Sequence, residues 1–306
     1  MSGSPDLAGV SAMVAAYARI EQTLHTLEVL ESCDPPPAEI IVHVDGGQQA
    51  CADAVRNRFK NVRIIVSEGR VGPGGGRNRM MEAARTELVA SFDDDSWPVD
   101  RDFFARVKRL ADALDAAVYT GGVVHRGEPL IDDAPTGQWC ADFCGGAAVF
   151  RRSLFLRAGG YVPVATAYGI EEVDLAIRLS AMGGLVFQTP WLRVFHDTDL
   201  ARHADREVTA ASIANIGLLT YLRYPPTLWW VGAVQLLRRV VWLLKVGRLD
   251  GIHEGVGRIP GQIRRFATYR RTVGVGDLRS YWIKRRRPGC IAIPPETLRG
   301  GQEAVA

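Results

Sequence analysis

The sequence predicts an α/β fold in which strands and helices alternate around a parallel sheet, followed by a basic helical extension. Over about 90 residues, apolar runs of strand length alternate with segments of helical periodicity. Glycine-rich and acidic residues follow those runs, at the edge where parallel sheets bind ligands. The charge balance changes along the chain, since residues 1–200 carry 19 basic and 27 acidic side chains and residues 201–306 carry 18 and 7.

The composition is that of a folded protein with a sizeable core. The chain has 306 residues, of which 47% are hydrophobic and 23% charged, so a disordered or fibrous chain is excluded. Its length allows two domains, or one large domain with an appendage. The five cysteines lack the spacing of zinc or redox motifs, so we expect reduced thiols in a cytoplasmic protein. Residues 1–9 are expected to be disordered, without the features of a signal peptide.

The first part of the chain supplies four strands and the helices between them. The strands are predicted at Val10–Ala16, Glu39–Val44, Val62–Val66 and Leu88–Phe92. The helices are predicted at Leu24–Cys33, Cys51–Phe59 and Arg77–Ala84. Gly69–Gly76 holds five glycines in eight residues. We expect it to be a loop that lets the backbone approach a ligand closely before the third helix begins.

The next hundred or so residues continue with shorter elements. Helices are predicted at Asp102–Leu114, Arg152–Ala158 and Tyr168–Met182. Strands or short apolar runs are predicted at Ala117–Val124, Ala147–Phe150, Leu185–Gln188 and Leu192–Phe195. Glu128–Trp139 is polar and turn-rich, so it is predicted to lack regular structure.

Three consecutive carboxylates, Asp93-Asp94-Asp95, follow the fourth strand. Adjacent carboxylates repel one another, and hard divalent cations bind carboxylate oxygens. Alternate residues of an extended chain point the same way, so we expect Asp93 and Asp95 to face one metal ion and Asp94 to face elsewhere. The alternative is a solvated acidic turn before Pro98.

Other polar residues follow the same pattern of strand ends and helix starts. Arg77, after the glycines, is placed to reach a phosphate or a nucleobase. Glu171, Glu172 and Asp174 begin a predicted helix, where acids either stabilise the helix dipole or supply a catalytic base. His196 follows an apolar run, and we treat it as a metal ligand only because the carboxylates already suggest a metal ion.

The C-terminal part is basic and contains an amphipathic helix over Leu228–Val246. Its polar face is predicted to hold Gln235, Arg238, Arg239, Trp242 and Lys245. A cationic face beside Trp- and Leu-rich surface indicates a helix in a membrane interface, and Lys284–Arg287 adds a polybasic patch. A packed core helix is the alternative. Nucleic acid is disfavoured, because aromatic residues do not alternate with the basic ones.

Eight segments occur in an order that is typical of one known family. They are VSAMVAAYAR (10–19), EIIVHVDGG (39–47), GPGGGRN (72–78), FDDDSWP (92–98), GGAAVFRR (145–152), GGY (159–161), GIEEVDLAIR (169–178) and FH (195–196). On these segments the chain resembles the inverting, hexosyl- and rhamnosyltransferase-like members of glycosyltransferase family 2. The resemblance implies a GT-A fold, which is a Rossmann-like, doubly wound mixed sheet.

The resemblance also implies a nucleotide-sugar donor, Mn²⁺ or Mg²⁺, and a single displacement at the anomeric carbon. It makes Asp95 the direct metal ligand, with Asp93 nearer the ribose and His196 completing the metal shell. Glu172 is the implied base, with Glu171 as a rival, because Glu172 stands where the family usually has Asp. Asp174 is a second rival, although its spacing from Arg178 also predicts an ion pair.

The remaining carried-over positions divide between donor and acceptor. Donor contacts are implied for Ala16, Tyr17, Arg19, Asp45, Gly72, Arg77, Asn78, Asp93 and Asp94. Acceptor contacts are implied for Trp139, Gly145 and Gly146. Val44 stands where the family has a second acid beside Asp45, and Ala18 stands where Asn is common, so the nucleotide loops offer fewer polar contacts.

We therefore expect a catalytic domain over residues 10–200, with a nucleotide-sugar half at 10–100 and an acceptor half at 101–200. A basic helical extension at 201–293 and a loose tail at 294–306 follow. The expected activity is transfer from a UDP- or dTDP-sugar to a hydroxyl of a glycan, a lipid-linked glycan or a small metabolite. We expect the protein in the cytoplasm, either free or against an anionic inner membrane surface. The alternatives are a non-catalytic nucleotide- or glycan-binding protein and a nucleotidyltransferase.

Overall fold

One mixed sheet forms the centre of the molecule in the computed structural model, which describes residues 6–134, 136–166, 168–198 and 205–292. Its ten strands are β1 (Asp6–Ala16), β2 (Glu39–Val44), β3 (Val62–Val66), β4 (Thr86–Asp93), β5 (Ser96–Pro98), β6 (Val118–His125), β7 (Thr136–Cys140), β8 (Ala147–Arg151), β9 (Val186–His196) and β10 (Gly289–Ala292). Their order is β10-β7-β9-β6-β8-β4-β1-β2-β3, and β5 pairs with β9.

The two halves of the sheet differ in strand direction. β3, β2, β1 and β4 are parallel, as the alternating sequence predicts. β8 then pairs antiparallel with both β4 and β6, and β7 pairs antiparallel with β9. The carboxyl ends of the parallel strands therefore lie at one edge, and β8 and β9 bring later parts of the chain to it.

Ten helices surround the sheet in the described ranges. They are α1 (Ile20–Glu31), α2 (Gln49–Arg58), α3 (Gly72–Ala83), α4 (Phe103–Ala113), α5 (Arg152–Arg157), α6 (Glu171–Ala181), α7 (Arg206–Arg223), α8 (Trp229–Lys245), α9 (Ile252–Phe266) and α10 (Val275–Arg286).

Both faces of the sheet are buried. Alternate residues of β1 point to opposite sides, so Met13 belongs to one apolar cluster and Ala12 and Val14 to the other. The first cluster also contains Leu218 from α7 and Leu278 from α10. The C-terminal helices thus share a core with the sheet, and β10 extends the sheet beside β7.

Four sequence predictions are corrected by these elements. The glycine-rich segment is helical from Gly72 onward, because backbone N–H groups at its start donate to the carboxylates of Asp45 and Glu171. Thr136–Cys140 is a strand rather than irregular, since it pairs with both β9 and β10. The two apolar runs after residue 184 are one strand, β9, with a register shift beside Gly121 and Gly122.

The fourth correction concerns the first strand, which begins at Asp6 rather than Val10. Asp6 pairs with Thr86 of β4, so this part of the expected disordered N-terminus is strand. Residues 1–5 and the predicted tail at 294–306 lie outside the described residues.

Candidate active site

The acidic triad lies at the carboxyl edge of the parallel strands. Asp93 is the last residue of β4, Asp94 and Asp95 form a turn, and the chain returns as β5. β5 pairs with the end of β9, which sets His196 opposite Ser96. As a result, ligand atoms of Asp93, Asp95 and His196 all lie within 4.8 Å of one another.

The charges of this cluster stabilise one another. His196 Nε2 lies 3.2 Å from Asp95 Oδ1 and 3.8 Å from Asp93 Oδ2. Burial alone lowers the pKa of His196, but the hydrogen bond to Asp95 and the charge of Asp93 raise it above its ordinary value. Burial raises the pKa of Asp95, but His196 and Arg19 outweigh burial and lower it below its ordinary value. The arrangement holds negative oxygens beside a nitrogen donor, which is a suitable set for a divalent transition metal ion.

Asp94 is not part of this group of candidate metal ligands, although it lies in the same turn. Its carboxylate accepts a hydrogen bond from the backbone N–H of Tyr17 (3.3 Å) and pairs with the guanidinium of Arg19. Arg19 also binds Asp95, so it bridges the two acids. Burial raises the pKa of Asp94 to about 6, with Arg19 acting in the opposite direction. The first loop and the acidic turn are therefore held together by charge.

A cavity of about 230 Å³ opens beside the triad. Its lining includes Ala16, Tyr17, Arg19, His43, Asp45, Arg70, Gly72, Asp93 and Asp94. The Tyr17 ring is 41% exposed, and the Arg70 guanidinium lies 4.8 Å from its centroid. Arg70 and His43 were not among the predicted site residues, and neither stands in a pattern that distinguishes it from an ordinary surface or core residue.

Asp45 holds the start of α3. Its Oδ1 accepts from the N–H of Val71 (2.8 Å) and its Oδ2 accepts from the N–H of Gly72 (2.9 Å). These bonds satisfy backbone donors that a helix start leaves unpaired. Gly72 has φ +75°, and a Cβ there would lie 2.3 Å from the carbonyl oxygen of Val164. The glycine-rich segment is thus helical because Asp45 caps it and its neighbours approach closely.

Arg77 lies beneath the carboxylates rather than in the cavity. It is 3% exposed, donates to Ser91 Oγ (3.1 Å), and pairs with both Asp93 and Glu171. Burial lowers the pKa of Arg77, but the charges of Asp93 and Glu171 outweigh burial and raise it. This guanidinium therefore stays charged and links the acidic turn to α6.

Glu171 and Glu172, at the start of α6, occupy different positions around Arg77. Glu171 is buried, and its Oε1 accepts from the N–H of Gly74 (2.7 Å). Burial raises the pKa of Glu171 to about 8, with Arg77 opposing the shift. Glu172 is half-buried. Burial raises the pKa of Glu172 too, again against the charge of Arg77. The two neighbours thus differ in exposure to solvent.

Gly145 and Gly146 leave room for these acids. A Cβ on Gly145 would lie 2.9 Å from Glu172 Oε1, and a Cβ on Gly146 would lie 2.3 Å from Asp93 Oδ2. Both predicted acceptor glycines therefore adjoin the carboxylates, and a side chain on Gly146 would displace Asp93.

Three predicted residues lie elsewhere. Asp174 is fully buried and pairs with Arg178, as its spacing predicts, and also with Arg223 of α7. Asn78 uses its amide group on the backbone of Tyr161, at 2.8 Å in both directions. Trp139 of β7 packs on Phe187, with ring centroids 5.1 Å apart. Each of these side chains has a structural partner.

Among the helices of the described ranges, none has the length and apolar character that crossing a membrane requires.

Comparison with known proteins gives matches to one family and one fold. The family model described as glycosyl transferase family 2 matches residues 11–158. The protein EpsH of Bacillus subtilis (strain 168), a glycosyltransferase by name, is 32% identical over 108 residues. That alignment covers 33% of this chain and 30% of EpsH, so the chain matches less than a third of that relative's length.

Two solved structures share the fold at low sequence identity. The mannosyltransferase PcManGT from Pyrobaculum calidifontis, solved with GDP-Man and Mn²⁺, is 16% identical, with a TM-score of 0.54. The alignment covers 93% of this chain and 90% of that one. GalNAc-T7, solved with UDP, GalNAc and Mn²⁺, is 13% identical with a TM-score of 0.56, over 72% of this chain and 49% of that one. The chain is thus similar to glycosyltransferase family 2 over residues 11–158, and it has a GT-A fold with a helical C-terminal extension.

Proposed function

We propose that this protein is a metal-dependent, inverting glycosyltransferase that uses a nucleotide diphosphate sugar. One observation carries the proposal: Asp93, Asp95 and His196 converge at the strand ends, and Arg77 joins them to the paired acids of α6. A metal-ligand set thus lies beside carboxylates of raised pKa, which is the arrangement that leaving-group stabilisation and proton removal require.

The donor set fits Mn²⁺ or Mg²⁺. Two carboxylates and one imidazole supply oxygen and nitrogen ligands, and Asp93 keeps a quarter of its side chain exposed toward a ligand. The two fold relatives were solved with Mn²⁺. When bound at Asp93, Asp95 and His196, such an ion would neutralise a diphosphate and stabilise the leaving group.

Glu172 is the proposed base. It is less buried than Glu171, and its Oε1 lies close to Gly145, one of the glycines implied to contact the acceptor. Its carboxylate would accept the hydroxyl proton while the acceptor oxygen attacks opposite the leaving nucleotide, which inverts the anomeric centre. Glu171 is less suited, because its oxygens already bind Gly74 and Arg77. Arg77 acts as a positioning residue for Asp93 and the α6 acids.

The donor base is proposed to be uridine or deoxythymidine. The cavity of about 230 Å³ offers the exposed face of Tyr17 for stacking and the carboxylate of Asp45 as an acceptor. Arg19 and Arg70 border the same cavity and would face the diphosphate or the ring. The fold relatives bind UDP in one case and GDP-Man in the other, so the fold itself does not select the base.

Turnover of nucleotide sugars by the purified full chain tests the proposal. We expect Mn²⁺-stimulated hydrolysis or transfer with a UDP- or dTDP-sugar. Asp95→Ala should abolish it and remove the Mn²⁺ dependence of nucleotide binding, whereas His196→Ala should weaken metal affinity less. Asp197→Ala, which removes the adjacent acid that pairs with Arg126, serves as the control. Nucleotide binding without turnover would favour a binding protein, and full activity in Asp95→Ala would refute the metal site.

The second half of the proposal is peripheral attachment of α8 to an anionic membrane. The outward residues of α8, hereafter its outer face, are apolar and follow a spacing of four and three: Trp230, Val234, Leu237, Val241 and Leu244. Two of the predicted polar-face residues turn inward instead, since Gln235 accepts from Tyr224 OH (3.0 Å) and Arg239 donates to Ser212 Oγ (3.1 Å). The helix therefore presents apolar side chains to the outside.

Charge beside the outer face favours a lipid surface over a second protein copy. Arg238 and Lys245 are exposed on the same helix. Pairing two copies through this face would bring these cations together, whereas anionic lipid headgroups would neutralise them. A protein attached in this way would suit a lipid-linked glycan as acceptor, ahead of a soluble glycan or metabolite.

A further inference from the structure

A second cavity, of about 290 Å³, lies between α6 and the segment that connects α9 to α10. Its lining includes Gly159, Gly160, Arg178, Arg223 and Arg271. Arg178 lies seven residues after Glu171 on α6, which is about 10 Å along the helix, so this cavity is separate from the candidate active site. None of its lining residues has a role in the proposed transfer reaction.

The cavity carries more positive than negative charge. Arg178 and Arg223 are 8% and 2% exposed, and both pair with Asp174. One carboxylate thus serves two buried guanidinium groups. Arg271 adds a third guanidinium group, which is exposed and has no ion pair with a described residue. Burial lowers the pKa of Arg178, and the charge of Arg223 lowers it further against the opposing effect of Asp174.

Two of the guanidinium groups converge at Gly159. A Cβ on this residue would lie 3.7 Å from Arg271 Nη1 and 3.8 Å from Arg178 Nη1. Gly159 has φ +86°, so the chain turns there without a side chain that would fill the space. Arg178 Nη1 already donates to the carbonyl oxygen of Ala158 and keeps one further N–H. An oxygen atom near this point would accept hydrogen bonds from that N–H and from Arg271 with small adjustments, and a tetrahedral oxyanion would reach both at once.

We propose that this cavity binds a phosphate group. A phosphate would balance the excess charge of Arg178, Arg223 and Arg271, and its oxygens match the planar guanidinium donors. The inference goes beyond the proposed glycosyl transfer and does not depend on it. Binding would also steady the second half of α6, since Arg178 projects from the helix that carries the proposed base.

The surroundings allow two sources for this phosphate. The backbone N–H of Arg271 donates to the carbonyl oxygen of Leu222 (3.1 Å), which anchors this segment to the end of α7. The preceding residue, Arg270, lies 5.7 Å from the ring of Trp229 at the start of α8. The segment that lines the cavity therefore also reaches the start of the helix that we propose to attach to the membrane, so the phosphate belongs either to a lipid headgroup or to a soluble phosphate compound.

Calorimetric titration of the full chain with inorganic phosphate, without nucleotide or metal and at constant ionic strength, tests the site. We expect saturable binding by the wild type and by Arg279→Gln, an exposed arginine of α10 that lies outside the cavity. Arg271→Gln should weaken binding by about tenfold or more, because a charge-assisted contact is lost, and Arg271→Lys should recover part of it. Equal affinity in Arg271→Gln and the wild type, or no binding by the wild type, would overturn the proposal.

Vesicles then distinguish the two sources. Phosphatidylcholine vesicles that contain phosphatidic acid present a phosphate monoester at the surface. If sedimentation with these vesicles requires Arg271 but not Arg279, the phosphate is lipid-borne. If Arg271 matters only for inorganic phosphate in solution, the site takes a soluble phosphate compound. Turnover of nucleotide sugars is not part of either measurement, so failure here leaves the proposed function untouched.

Discussion

At the residue scale, the neighbouring acids Glu171 and Glu172 have different environments although one arginine serves both. Glu171 is enclosed, with partners for both carboxylate oxygens. Glu172 is half-buried, and its Oε1 lies close to Gly145. Different environments give two adjacent carboxyl groups different protonation behaviour and different roles. The structural role fits Glu171 and the chemical role fits Glu172.

Replacing Glu172 with Gln keeps the shape of the side chain and removes its basicity. We expect kcat to fall by about 10²- to 10⁴-fold, the usual contribution of a general base, with nearly unchanged donor affinity. Steady-state kinetics together with nucleotide titration checks this. Asp174→Asn is a poor comparison, because it would leave Arg178 and Arg223 under-neutralised in the core. Near-full kcat in Glu172→Gln with an inactive but folded Glu171→Gln would reassign the base.

Glu171 makes the stability of the protein depend on pH. Its pKa is raised from 4.5 to about 8 by burial, reinforced by Glu172 and Asp93 and opposed by Arg77. Between those values the folded state holds a proton that the unfolded state has released, so this group's contribution to stability falls as pH rises. Glu171→Gln should lack this dependence. Its unfolding free energy relative to the wild type should increase by up to about 1.4 kcal/mol per pH unit in this window.

Denaturant unfolding of the two proteins across that pH range, without metal or nucleotide, measures the difference. Glu31→Gln, which changes an exposed acid at the end of α1, is a suitable control. Parallel stability curves for Glu171→Gln and the wild type would show that Glu171 is not protonated in the folded protein.

Residue types and spacing predicted which side chains gather at the strand ends, but not what each one binds. Asp93, Asp95 and His196 meet as the sequence predicted. Arg77 and Asn78 instead turn inward, onto the acids and onto Tyr161. Side-chain direction depends on the helical phase of α3, and that phase was hidden because the glycines suggested a loop.

At the element scale, α3 shows how tertiary contacts override propensity. Glycine is a poor helix former, so four glycines in the first turns predict a loop. The helix forms nevertheless, because Asp45 satisfies its first donors and Glu171 accepts from Gly74. The glycines are also required by space. A Cβ on Gly76 would lie 2.4 Å from His43 Nδ1.

Gly74→Ala tests this packing against a matched glycine in another helix. The added Cβ would lie 2.2 Å from Glu171 Oε1 and 2.8 Å from Tyr161 Cβ, so we expect a loss of about 1–3 kcal/mol in unfolding free energy. Gly257→Ala in α9, where no atom lies within 4 Å, should instead stabilise by about 0.5–1 kcal/mol. Equal effects in chemical denaturation would show that α3 is not closely packed.

At the scale of the whole molecule, the sequence predicted the first two hundred residues much better than the rest. Alternating apolar runs fix strands and helices there, and β2 and β3 match their predicted limits. The C-terminal part depends on packing between distant elements, which periodicity does not show. Asp174 pairs with Arg223 across 49 residues, and β10 joins the sheet beside β7. The polar face predicted for α8 is only partly exposed, because Gln235 and Arg239 find partners on the inside.

The orientation of α8 leads to a test on whole vesicles. The full chain should sediment with phosphatidylglycerol vesicles at low salt and be released as salt screens the charges. Leu237→Gln should weaken sedimentation by about tenfold or more, since burial of one leucine contributes about 1.5–3 kcal/mol. Leu130→Gln is the matched control, because Leu130 is 61% exposed and Leu237 is 62% exposed, but Leu130 lies in the loop after β6.

The outcomes distinguish apolar insertion of α8 from electrostatic attraction between its cations and anionic lipid. If the protein binds neutral phosphatidylcholine vesicles as strongly as anionic ones, apolar insertion holds it on the membrane and electrostatic attraction does not contribute. Equal sedimentation of Leu237→Gln and Leu130→Gln would show that the outer face of α8 does not contact the vesicle. If the wild type binds no vesicle and forms dimers that Leu237→Gln dissociates, a second copy covers this face. Because Arg238 and Lys245 would then meet across the dimer, such dimers should strengthen with salt, whereas attachment to lipid should weaken.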